Sequence, residues 1–176
     1  MKRKLLILLA LVALAGICRA QTGNNQISVG AETNFLLTNG YSDIYHPGFG
    51  GNLKGMYGIG TAPQQLTLTV GYTHFSGKPF TYGSATINQS LSLIPILAGY
   101  RYNTSSGFYG ELQAGVGMLG THSDGTTFTQ TDFAAALNVG YAYKGLDLGL
   151  RYYTEGDVVS IFAIRLAYNI SLGGGK

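Results

Sequence analysis

Between Thr131 and Tyr153 large apolar residues recur at every second position. Phe133, Leu137, Val139, Tyr141 and Tyr143 alternate with Asp132, Ala134, Ala136, Asn138, Gly140 and Ala142, with Ala135 the small exception among the former. Further on, Leu146, Leu148, Leu150 and Tyr152 alternate with Asp147, Gly149, Arg151 and Tyr153. A period of two puts the large apolar side chains on one face of an extended strand, whereas a helix would spread them around its axis. Lys144-Gly145 between the two arms predicts a tight antiparallel hairpin. The same alternation predicts further strands, so that the full set is 27–37, 48–60, 65–75, 91–102, 108–119, 131–143, 146–153 and 160–172.

The greasy face is the unusual one. The other face carries mostly Gly, Ala, Asn and Thr with isolated charges, too few for the water-facing side of a soluble sandwich. Aromatic residues gather at both ends of the apolar band. One group is Tyr57, Tyr100, Tyr102, Phe108, Tyr141, Tyr143 and Tyr168; the other is Phe35, Phe49, Tyr72, Phe133, Tyr152 and Phe162. Two aromatic girdles flanking an apolar belt mark the two interfaces of a bilayer. The connections alternate long and short, as the surface loops and periplasmic turns of outer-membrane barrels do. The fold expected is all-β: an eight-stranded antiparallel up-and-down transmembrane β-barrel with both termini in the periplasm. A soluble ligand-binding barrel is the alternative that the outward apolar belts argue against.

The strand at 91–102 is the irregular one. Leu91 to Leu97 is apolar on both faces. Turning Ile94, Ile96, Ala98, Tyr100 and Tyr102 outward keeps Arg101 out of lipid, where it would be costly. That choice puts Leu93 and Leu97 into a lumen that is otherwise polar. Pro95 removes a ladder donor and predicts a bulge or local break.

The N-terminus adds the compartment. Lys2, Arg3 and Lys4 precede an apolar run from Leu5 to Ile17, and Ala20 ends a site with small residues where a signal peptidase reads them. This is the layout of a cleaved signal peptide, residues 1–20, with cleavage between Ala20 and Gln21 and a barrel over 21–176. The run is too short for a spanning helix, and Ile17 before Cys18 does not suit lipidation. Beyond Cys18 the chain has no cysteine, which excludes disulfides and thiolate chemistry in the mature part. The formal charge of +3 also belongs to this segment: without Lys2, Arg3, Lys4 and Arg19, seven basic residues face eight acidic ones. Nothing then favours a nucleic-acid partner. The partners expected are outer-membrane lipids and lipopolysaccharide and the barrel-assembly machinery, with a protein or glycan ligand outside and no cofactor. The protein is expected to be a monomer in the outer membrane of a Gram-negative envelope.

With the strands placed, the segments IPILAGYRYN and GFYGELQAGVGMLG resemble a strand hairpin of the small eight-stranded bacterial outer-membrane β-barrel family, which includes OmpA-like transmembrane domains and OmpX-like proteins. The resemblance covers Gln21 to Lys176 and implies a porin-like scaffold of the cell envelope. Members often end in an aromatic residue, and this chain ends Leu172-Gly-Gly-Gly-Lys176.

Candidate chemistry divides into the lumen and the loop rim. Glu32, Glu111, Asp132 and Asp147 face inward with Lys54, Arg101, Arg151 and Arg165. An eight-stranded barrel is just wide enough for side chains to fill, and buried charges there must pair. The expectation is an ion-paired plug; a narrow small-solute channel is the alternative. A Glu32/Glu111 acid–base pair has little support, because nearby Arg and Lys would pair with both. On the rim, His74 and Ser76 match the His-x-Ser spacing of lipid A deacylases, eight-stranded barrels of the outer membrane, and form the enzymatic alternative to a structural or surface-interaction role. His46, His74 and His122 lack the spacing of a metal site. Gly115-Val-Gly-Met-Leu-Gly120 has the form of a dinucleotide fingerprint, but lies in a strand with no helix to follow. The long loops carry Tyr41, Tyr45 and His46, then Lys78, Phe80 and Tyr82, then Phe128, and loops are where function on such a scaffold sits.

Overall fold

A computed structural model of the chain describes residues 25–59, 63–82, 85–87, 89–123, 126–157 and 159–172. The expected signal peptide and its expected cleavage position between Ala20 and Gln21 lie outside them, as does the tail after Leu172. The elements are β1 (Gln26–Leu36), α1 (Tyr41–Ile44), β2 (Gly48–Gly58), β3 (Gln64–Ser76), β4 (Phe80–Tyr82), β5 (Ala85–Ile87), β6 (Gln89–Asn103), β7 (Phe108–Ser123), β8 (Thr126–Tyr143), β9 (Leu146–Glu155) and β10 (Val159–Ser171). Eight of them close a barrel in the order β1-β10-β9-β8-β7-β6-β3-β2, and β4 pairs only with β5 as a small separate hairpin. Every barrel pairing is antiparallel. All eight expected strands are present, and the chain adds α1 and the β4–β5 hairpin within its long connections.

Local chemistry explains the turns. Lys144 and Gly145 both have positive φ, 50° and 89°. Positive φ at both central residues is the turn whose twist matches the strands it joins. At the same short-turn end the Leu172 amide donates to the Asn25 carbonyl, so both ends of the described chain meet there.

The apolar belt faces outward. Leu112, Leu148 and Leu166 are more than half exposed, as are the girdle residues Phe49, Tyr72, Phe108, Phe133, Tyr143 and Tyr168. Tyr100, Tyr102, Tyr141 and Tyr152 are exposed too. Phe35 and Phe162 are partners across the β1–β10 ladder and are half-buried, as is Tyr57.

Two expectations are sharpened. First, of the bulge or local break expected at Pro95, the structure shows a break and no bulge. β6 keeps its register with β7 through Pro95↔Gly117, and its register with β3 is the same on either side of a gap between Val70↔Ile96 and Thr73↔Leu93. The missing N–H leaves a short lapse in the β3–β6 seam, and the neighbouring pairs hold the strands in line. Second, strands β6, β7 and β8 run further toward the long-loop end than the apolar pattern indicates, beginning or ending at Gln89, Ser123 and Thr126. Beyond a bilayer no apolar alternation is required, so the polar Thr-rich segment reads as loop while the ladder simply continues.

Candidate functional site: the filled lumen and the raised rim

The lumen has two layers. In the half near the short turns, four cations meet three acids in four ion pairs: Lys54–Glu111 at 2.5 Å, Arg151–Glu32 at 2.5 Å, Arg101–Asp147 at 3.0 Å and Arg165–Asp147 at 3.3 Å. All seven side chains are at most a few per cent exposed. Neutral side chains join the pairs into one network. Glu111 accepts from Gln113, whose oxygen accepts from Asn138. The Asn138 oxygen accepts from Arg151. On the other side Asn52 donates to Glu32 and accepts from Arg165. Asp147 closes the chain by accepting from Arg165, Arg101, Tyr109 and Asn169. The Arg101 guanidinium also lies over the Tyr109 ring, 3.5 Å from its centroid, where the ring face favours a cation. Tyr109 reaches Asp147 because Gly140 and Gly149 leave room: a methyl group on either would overlap the phenol oxygen.

Asp132 is not part of this network. It lies near the rim on β8, partly exposed, and its Oδ2 accepts from Gln130 at 2.5 Å. The fourth buried acid is Glu155, 1% exposed, which sequence reasoning left beyond the end of the strand after Tyr153. The visible signal was its continuation of the Asp147, Arg151, Tyr153 inward series.

The half near the long loops is mostly apolar inside, with Glu155 at its mouth. Leu36, Phe75, Leu91, Leu93, Leu97, Leu119, Tyr153, Val159 and Ile161 form one buried cluster. This accounts for Leu93 and Leu97: they do not stray into a polar lumen but belong to an apolar layer above it. The loop after β1 caps that layer. Tyr45 is 6% exposed and bridges to Gly77, and the His46 amide donates to the Ser76 carbonyl at 2.8 Å. Burial, with Tyr41 beside it, raises the pKa of the Tyr45 hydroxyl. At the opposite end a cavity of about 370 Å³ opens between the short turns, lined by Arg101, Asn103, Lys144 and Asn169 among others.

On the outer wall His74 and Ser76 both face outward on β3 and are exposed. Their ladder partners are Phe49, Ser92 and Ser90, and no carboxylate stands in register with His74. The His–Ser contact present nearby is a different one, Ser92 Oγ with His122 Nε2 at 3.3 Å, and Ser92 also donates to the Gly120 carbonyl. Among the described residues no three His, Cys, Asp or Glu side chains gather as a metal site.

The wall is uneven at this end. β8 pairs with β7 up to Ser123↔Thr126, but with β9 only from Ala134↔Glu155 onward. The Gly156 amide donates to the Phe133 carbonyl, and with that the β8–β9 seam ends. Among the described residues, 126–132 of β8 therefore form a free edge, roughly 20 Å long at the usual rise of about 3.4 Å per residue. Since the Phe133 carbonyl points to that edge, alternation turns the peptide groups of Thr131 and Thr129 to it as well. Phe128 beside it is 68% exposed.

No model of a protein family matches the sequence, and no curated protein matches it. Solved structures do. Ail, the attachment invasion locus protein of Yersinia pestis, in complex with the heparin analogue sucrose octasulfate, superposes with a TM-score of 0.59 at 18% identity over 85% of this chain and 99% of that one. Neisserial surface protein A superposes with a TM-score of 0.56 at 19% identity over 84% and 97%. Ail in a phospholipid bilayer nanodisc gives 0.54 at 16% identity over 84% and 99%. At such identities the likeness is one of architecture: the chain has the closed eight-stranded fold of the small outer-membrane β-barrels.

Proposed function

We propose that this chain is a monomeric outer-membrane barrel of a Gram-negative envelope, closed to solutes, that acts at the cell surface by offering the free β8 edge to an extended segment of another protein. The carrying observation is that edge. Natural sheets blunt an exposed edge with Lys, Pro or a bulge, and residues 126–131 contain no charge and no proline, the edge meeting its single charge at Asp132 where it ends. Unpaired peptide groups on Thr129 and Thr131 would add a strand, with Phe128 nearby as an apolar anchor.

Ail was solved with a polysulfated sugar analogue, and a glycan is the natural competitor for this surface. The charge at this end is wrong for a polyanion: Asp43, Asp132 and Asp157 stand against Lys78 among the described residues. An enzymatic role for His74 and Ser76 has no support in their ladder partners, since among the described residues no carboxylate stands in register with either to orient the imidazole.

The test is adhesion of cells displaying the barrel to a panel of immobilised surface proteins and glycans. Thr129→Lys with Thr131→Lys places charges on the edge. Binding to a protein that the double variant loses at least tenfold supports this reading, and binding that survives it sinks the edge. In planar bilayers the purified barrel is expected to give no stable current steps, because the apolar and ionic layers close the lumen in series. A reproducible step would move the channel reading forward.

A further inference from the structure

We propose that Glu155 and Asp132 form the protein's share of a site for a hard divalent cation, calcium or magnesium, at the outer mouth where the β8–β9 seam ends. The other buried acids, Glu32, Glu111 and Asp147, each lie against Lys or Arg. Glu155 is as buried as they are, and among the described residues no cation pairs with it. One of its oxygens, Oε2, accepts from the Tyr153 hydroxyl at 2.7 Å. The other, Oε1, is buried with no hydrogen-bond partner. Its ladder neighbours are Ala134 and Val159, which can offer nothing to a charge.

Asp132 is close to it. The Glu155 carboxyl lies over Gly117, where a methyl group would overlap it, and the ladder partner of Gly117 on β8 is Asp132. Gly156, at φ 51°, folds the chain back against the Asp132 side chain. A buried carboxyl group with an unpartnered oxygen, and a second carboxylate on the neighbouring strand, suit a positive ion. Oxygen-only donors select calcium or magnesium over softer metals. Gln130, whose amide nitrogen already bonds Asp132, brings another oxygen to the rim. With two carboxylates and water completing the shell, the dissociation constant belongs in the range of extracellular calcium modules, on the order of 10⁻⁴–10⁻³ M. The ion would tie β8 to the β9 turn directly below the free edge, and so stiffen the surface proposed above. The site itself does not depend on that proposal.

The test uses the refolded barrel in detergent with terbium as the luminescent stand-in for calcium. Tyr153, hydrogen-bonded to Glu155, is the sensitiser. Excitation in the tyrosine band is expected to give terbium emission that calcium chloride competes away. Glu155→Gln and Asp132→Asn should each weaken calcium binding at least tenfold by calorimetry. Tyr153→Phe should dim the emission more than it weakens calcium. Heat-modified gel mobility confirms closure of each variant, and Asp132→Asn at the rim serves if Glu155→Gln fails to fold. Absence of emission, or calcium binding unchanged by both carboxylate substitutions, overturns the site and leaves Glu155 as a buried neutral acid.

Discussion

Replacing Asp147 by alanine is expected either to prevent the barrel from closing or to lower its unfolding free energy by about 3–5 kcal/mol, the range for breaking a buried ion pair from one side. Asp147 is fully buried and accepts from two guanidinium groups, a phenol and an amide. Alanine leaves Arg101 and Arg165 facing each other's charge with no counter-ion. Asp147→Asn keeps the shape and loses the charge, so it should cost nearly as much. Asp43→Ala, on the exposed α1, should stay within about 0.5 kcal/mol. The chain has no tryptophan, so the fraction closed is best followed by cold gel mobility against urea. A loss under 1 kcal/mol at Asp147 would mean that water, and not the network, solvates these arginines, and would argue for a wet, conducting lumen.

The second large effect is on the outer wall. Leu150→Arg, at a position 44% exposed and paired with Val139 and Ile164 in the middle of the apolar belt, should cost about 2–4 kcal/mol in lipid. The same change on a water-facing wall would be near neutral. Folding into vesicles, measured beside Thr129→Arg on the raised sheet, separates the two cases. Equal tolerance at both positions would mean that the belt around Leu150 does not meet acyl chains.

Much of this architecture was legible because the outside of a barrel in lipid must be apolar at every second residue. The β8–β9 hairpin, the facing of Arg101 and seven members of the ion-paired network follow from that single constraint. The interior was legible only where it is polar. Above the network both faces of β6 are apolar, so alternation vanishes from Leu91 to Leu97 and the sequence no longer distinguishes lumen from lipid. Asp132 and Glu155 show the same limit at the rim. Alternation places both inward, but how far each strand runs past the belt decides which of them is buried. That length depends on the ladder with neighbouring strands and not on side-chain polarity. The free edge of β8 was invisible for a related reason: it exists because β9 stops at Glu155 while β7 continues to Ser123.

The two-layered lumen also bears on how such a chain reaches its place. If it inserts from the short-turn side, the long-loop halves of the strands lead across the bilayer. Apart from Glu155 and Asp132 near their tips, those halves are apolar toward the lumen as well as toward lipid, so they cross with few charges. Lys54, Arg101, Glu111, Asp147 and Arg165 trail behind, and the ionic half can assemble next to water, where unpaired charges cost least. The vertical order of the filling would then set the direction of threading, and inverting the two layers would leave a barrel of the same composition that stalls at the surface.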